Sequence, residues 1–141
     1  MTPVDMPILH DPENGAIGDC FRCCIATLLD LPVNEVPHFA EKDWGKTKDY
    51  TWFADLTAWL ATRGFAFFEL GPIGDDHGKW FDGLAPSGFD VHHVVSGMSP
   101  RGFRHSVVAR NGVTIHDPHP SRGGLSNGGE EGWMYGFLVK R

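Results

Sequence analysis

Residues 104–118 read RHSVVARNGVTIHDP, and the Asn111-Gly112 step at their centre decides how the chain folds. Asn-Gly between two apolar runs is the strongest short-range hairpin signal, so Phe103–Arg110 and Val113–His116 are expected to pair as antiparallel strands. Two registers are open. If Asn111 and Gly112 alone form the turn, Arg110 pairs with Val113, Ser106 lies opposite Asp117, and His105 points to the other face. If Arg110-Asn111-Gly112 form a three-residue loop with Gly112 in the left-handed bulge position, Ala109 pairs with Val113 and His105 stands opposite Asp117. A working His105–Asp117 pair requires the second register, which is the one expected here.

Working outward, Phe65–Leu70, Val91–Ser96 and Trp133–Val139 read as further strands. GPIGDDHGKWFDGLAPSG, residues 71–88, has the Gly, Pro and Asp content of a loop. Upstream lie two helical patterns. In DCFRCCIATLLDLP, Phe21, Cys24, Ile25, Leu28 and Leu29 recur at the spacing of one buried helix face, with Gly18 and Asp19 at the start, Asp19 as expected N-cap, and Pro32 as the stop. In TWFADLTAWLATRG, Trp52, Phe53, Leu56, Trp59, Leu60 and Arg63 trace the second, with Thr51 as N-cap and Gly64 as C-terminal cap. Helices first and strands after give an α+β fold with an antiparallel sheet.

With 141 residues, 41% of them hydrophobic, the chain can bury one core, and residues 1–141 are expected to form a single domain. Trp52, Phe53, Trp59, Phe65, Phe67 and Phe68 are assigned to that core. No run approaches the roughly 20 apolar residues of a membrane helix, and the N-terminus lacks the basic and apolar regions of a signal peptide. A cytoplasmic protein with no membrane partner is expected. The net charge of -6 offers no field for phosphate backbones, which argues against nucleic acid. Three cysteines crowded at Cys20, Cys23 and Cys24 cannot staple a domain.

Chemistry concentrates on Cys20, in the first turn of the first helix. A thiol attacks as thiolate, and unpaired amides at a helix start favour that anion. A neighbouring imidazole must complete the ion pair and a third polar group must hold its tautomer, roles that suit His105 and Asp117. His93 is a rival, because HHVVSG also sets a histidine before an apolar strand, but no Asp follows it at hairpin distance. His116 and His119 flank Asp117 and are left outside the catalytic set. Cys23 and Cys24 read as packing residues. Cys20 and Cys23 also form a C-x-x-C, which in other settings marks zinc or redox chemistry, but no second C-x-x-C is present to complete a four-cysteine site. SRGGLSNGGEEG, residues 121–132, reads as a mobile rim loop.

NGAIGDC (residues 14–20) and RHSVVARNGVTIHDP together resemble the papain-like cysteine peptidase superfamily. The resemblance is closest to the bacterial double-glycine leader peptidases and the small related proteins of bacteria and phages. In that family a cysteine opens the first helix, a His before a short apolar strand comes much later, and an Asp-Pro closes the next strand. The resemblance implies a hydrolase with Cys20 as nucleophile, His105 as general base and acid, and Asp117 as orienting residue, acting on peptides or proteins without a cofactor. Where the family carries a Gln whose amide helps form the oxyanion hole, this chain has Asn14, one methylene shorter, with the backbone N–H of Cys20 as the second donor. The alternative is a non-catalytic papain-like protein that engages a partner.

Overall fold

The computed structural model describes residues 1–74, 88 and 90–141. Two α-helices precede a five-stranded antiparallel sheet: α1 is Cys20–Leu29, α2 Trp52–Ala61, β1 Phe65–Ile73, β2 His92–Met98, β3 Arg104–Arg110, β4 Val113–His116 and β5 Trp133–Lys140. The strands lie in the order β1-β5-β2-β3-β4. The α+β, antiparallel expectation is met. None of the helices is long and apolar enough to cross a membrane among the described residues.

Alternation along the strands sorts side chains between two clusters. On the helix side, Val94, Val108 and Phe67 pack with Cys24, Ile25 and Ala26 of α1 and Leu56 and Leu60 of α2. On the other side, Val95, Val107, Ala109, Trp133, Tyr135 and Phe137 form the second cluster. Gly136 permits a close approach in the first, because a Cβ there would meet the Phe67 ring at 2.2 Å. Of the aromatic set assigned to the core, Phe67 is buried, Trp52, Trp59 and Phe65 pack on it half-buried, and Phe53 and Phe68 are exposed.

The helix ends differ from expectation in what satisfies them. Thr51 precedes α2, but its side chain makes no capping bond. Asp43 does that work from a distance, its Oδ2 accepting the Thr51 and Trp52 amides at 2.8 and 2.7 Å. Asp19 precedes α1 and also makes no side-chain cap. Its buried carboxylate instead accepts the Ile8 amide and pairs with Arg22, tethering the N-terminal segment. α1 ends on Asp30 in the left-handed region (φ 58°), two residues before Pro32. β1 runs three residues into the stretch read as loop, through Pro72, which an edge strand tolerates because its outer amide needs no ladder partner. The rest of that loop, 75–87, lies outside the described residues.

The hairpin register corrects the sequence reading. Arg110 pairs with Val113, so Asn111 and Gly112 alone make the turn, both with positive φ (49° and 82°) as a type I′ turn needs. The register then shifts: Ala109 faces Thr114 but Val108 faces His116, leaving Ile115 as an extra residue. The two-residue turn is the geometry that was expected to separate His105 from Asp117. The extra residue flips the alternation, so that continuing the ladder sets Asp117 opposite Val107 and diagonal to His105 on the same side. Segment 121–132, expected to be a mobile rim, is anchored: Met98 bonds Ser126 and Asn127, and Arg104 donates to the Gly128 and Gly132 carbonyls.

Candidate active site

Cys20 is the first residue of α1 and is half-buried, and no side chain caps the helix start beside it. His105, near the start of β3, is 4% exposed. Its Nε2–H donates to Asp117 Oδ1 at 2.7 Å, and Cys20 is close enough to act on the charge of the ring. With Nε2 engaged by the carboxylate, Nδ1 is the nitrogen left for the sulfur. The structure thus brings Cys20, His105 and Asp117 together in one chain of contacts.

Electrostatics reinforce the geometry. Burial works against a charged His105, but the hydrogen bond to Asp117 and the neighbouring Cys20 and Asp117 outweigh it, holding the imidazolium up to about 9. Burial likewise opposes charge on Asp117. Three donors overcome it: His105, the His119 amide at 2.8 Å and the Gly124 amide at 2.7 Å keep the carboxyl well below the usual carboxylate range. Arg122 donates to the Asp117 carbonyl and pairs with Asp5, fixing the turn from outside. Cys23 and Cys24 are fully buried, and burial pushes both thiols far up. Among the described residues no three metal-ligating side chains converge.

The other sequence candidates fall elsewhere. Asn14 is exposed, and its amide donates to Asp11 Oδ2 at 2.7 Å, within a short turn. His93 is wholly buried and accepts the Gly112 amide through Nε2 at 3.0 Å, so it supports the hairpin turn. His116 is buried, its Nε2–H donating to the Val4 carbonyl. His119 stands edge-on to His105 at 6.2 Å, and burial depresses its ring.

Residues that the sequence reading passed over form a cleft of about 480 Å³ against His105. Its floor is the helix-side face of the sheet where α1 stops covering it: Ser96 and Ser106, paired across β2 and β3 with hydroxyls 2.7 Å apart, Met134 of β5 and Glu69 of β1. Phe21, Trp44, Tyr50 and Trp52 line it as well. One signal for Glu69 was present in the sequence, since alternation from Phe65 and Phe67 sets that carboxylate on the apolar face of the strand. His10 gave no such signal. Its Nδ1 accepts the Gly18 amide, its ring lies between Trp44 and Phe103, and its Nε2 is buried without a hydrogen-bond partner.

Comparison of the chain with protein-family models, with curated proteins and with solved structures finds no match.

Proposed function

We propose that this chain is a papain-like cysteine hydrolase that cleaves a peptide, isopeptide or related amide bond through an acyl-enzyme at Cys20. The observation that carries the reading is the contact chain Cys20–His105–Asp117, with a 2.7 Å bond holding a cationic imidazole against the thiol. In the first step the Cys20 sulfur attacks the carbonyl carbon, and His105 gives its Nδ1 proton to the departing amine as the C–N bond breaks. In the second, His105 takes a proton from water as its oxygen attacks the thioester carbon, the C–S bond breaks, and Cys20 leaves as thiolate beside the re-formed imidazolium. Asp117 keeps the Nε2 proton in place throughout. The uncapped start of α1 offers the Cys20 backbone N–H to the developing oxyanion. Asn14 contributes a second donor only by releasing Asp11.

The test is alkylation of native protein by iodoacetamide at pH 6, mapped by mass spectrometry. Selective labelling of Cys20 that drops at least tenfold in His105→Ala supports the ion pair. Labelling of Cys20 indifferent to His105 removes the enzyme reading. The engaged amide of Asn14 favours one rival: a non-catalytic protein that uses the cleft to hold a partner. Cys20→Ala separates the two, since partner capture survives that substitution and hydrolysis does not.

A further inference from the structure

We propose that the cleft beside His105 is a subsite for a cationic side chain of the substrate, lysine or arginine, with Glu69 as counter-ion and aromatic rings as walls. The proposal deepens the hydrolase reading and rests on it. The charges that line the cleft are matched with partners, with one exception. Asp43 is spent, accepting two backbone amides and pairing with Lys46. Glu131 pairs with Arg104 at 3.2 Å through Nε, and Nη1 and Nη2 of Arg104 donate to the Gly128 and Gly132 carbonyls. His105 is balanced by Asp117. Glu69 alone among these carboxylates has no hydrogen-bond or ion-pair partner among the described residues.

Its position makes that lack of a partner costly. Glu69 is half-buried on the helix-side face of β1, two residues beyond the buried Phe67, and burial raises its carboxyl against a smaller opposing effect of Arg104. A desolvated carboxylate without a partner is stabilised by any cation that reaches it. The walls suit such a guest. Trp44 and Tyr50 are 54% and 55% exposed, so they are not held there by core packing, and Trp52 stands edge-on to Phe21 at 5.6 Å. Aromatic faces attract ammonium and guanidinium groups while their edges cover the aliphatic stem. The net charge of -6 draws a cationic segment toward the molecule in the first place.

The experiment uses Cys20→Ala protein, so that binding is read without turnover. Nα-acetyl-lysine amide, its Nζ-acetylated form and Nα-acetyl-norleucine amide are titrated against the indole N–H signals of Trp44 and Trp52 by NMR. Lysine amide is expected to shift both at about tenfold lower concentration than either uncharged ligand, with the preference abolished in Glu69→Gln. Equal binding of norleucine, or a lysine preference that persists in Glu69→Gln, overturns the subsite. The Nζ-acetylated ligand keeps the test valid if Glu69→Gln does not fold, because it removes the charge from the guest. In wild-type protein, chloromethyl ketones carrying lysine or norleucine then report on Cys20 separately, through thioether formation with loss of chloride. Cation-selective binding without His105-dependent labelling of Cys20 fails the hydrolase reading and leaves the subsite standing. His105-dependent labelling without cation selectivity does the reverse.

Discussion

Asp117→Asn removes one charge and keeps the shape of the side chain, so it isolates what the carboxylate does for His105. In the wild type the imidazolium persists to about 9 against an ordinary value of 6.5, which is worth roughly 3 kcal/mol at ~1.4 kcal/mol per pH unit. His105 therefore binds its proton more tightly in the folded state. The stabilisation is complete below about pH 6.5 and disappears as pH rises through about 9. Asp117 sets the acid limit with the opposite sign: its contribution is present above its ordinary value of 3.8 and is lost as pH falls toward its depressed folded value. The two shifts describe one interaction and count once.

In Asp117→Asn, desolvation of His105 and the influence of Cys20 remain while the carboxylate charge is gone, so the ring is expected to titrate clearly below 9, read from its NMR shifts. The melting temperature relative to wild type then varies with pH. Near pH 6 the deficit includes the Asp117 share of that term, at most roughly 10 °C for a chain of this size, and above pH 10 that part vanishes. What remains at high pH reflects the amides of His119 and Gly124, one of which faces an Asn N–H in place of an acceptor, at about 1–3 kcal/mol. A His105 titration unchanged by the substitution, or a deficit flat from pH 6 to pH 10, would refute the coupling and with it the assignment of Asp117 as orienting residue.

Deleting Ile115 should restore an uninterrupted ladder, turn Asp117 away from His105 and lower the His105 titration as Asp117→Asn does; a ring still titrating near 9 would show that the bulge does not aim the carboxylate. Asp43→Ala should cost about 1–2 kcal/mol by freeing the Thr51 and Trp52 amides, while Thr51→Ala stays within ~0.5 kcal/mol, both read by thermal denaturation. If Thr51→Ala is the costlier change, Asp43 is not the cap of α2. Cys23 and Cys24, fully buried with raised thiols, should resist iodoacetamide in native protein and label only in denaturant, which mass spectrometry of each peptide decides.

Local patterns made the framework legible. Helix-spaced apolar residues located α1 and α2, and alternation located the strands to within one to three residues at their ends. What stayed illegible depends on residues distant in sequence. Thr51 is a good capping residue by type, yet Asp43, eight positions earlier, holds the amides because a short turn brings it there. Asp19 is another good capping residue, and its carboxylate goes to Ile8 and Arg22. Arg104 ties down a glycine-rich stretch about 25 residues away, which no composition rule anticipates. The cleft was hidden for the same reason, since its lining crosses four strands, three of which contribute a single residue each.

The hairpin is the sharper case, because the chemistry was read from the residues and the register was then inferred from the chemistry. His105 and Asp117 must share a side of the sheet, and with a period of two that demands one residue more than the bare Asn111-Gly112 turn supplies. The sequence offers two places for it. In the turn, Arg110 would have to leave the ladder; Asn111 and Gly112 already satisfy a two-residue turn with positive φ at both positions, and Arg110 stays paired. In the strand, the extra residue falls on Ile115 in an exposed edge strand, where a lost ladder bond is made to water. The second costs less, and it leaves Asp117 just past the bulge, where Gly124, His119 and Arg122 gather around it. A functional pair constrains the parity of the residues between its members without constraining where the odd residue sits. That is why the contact was inferable from sequence while the register was not.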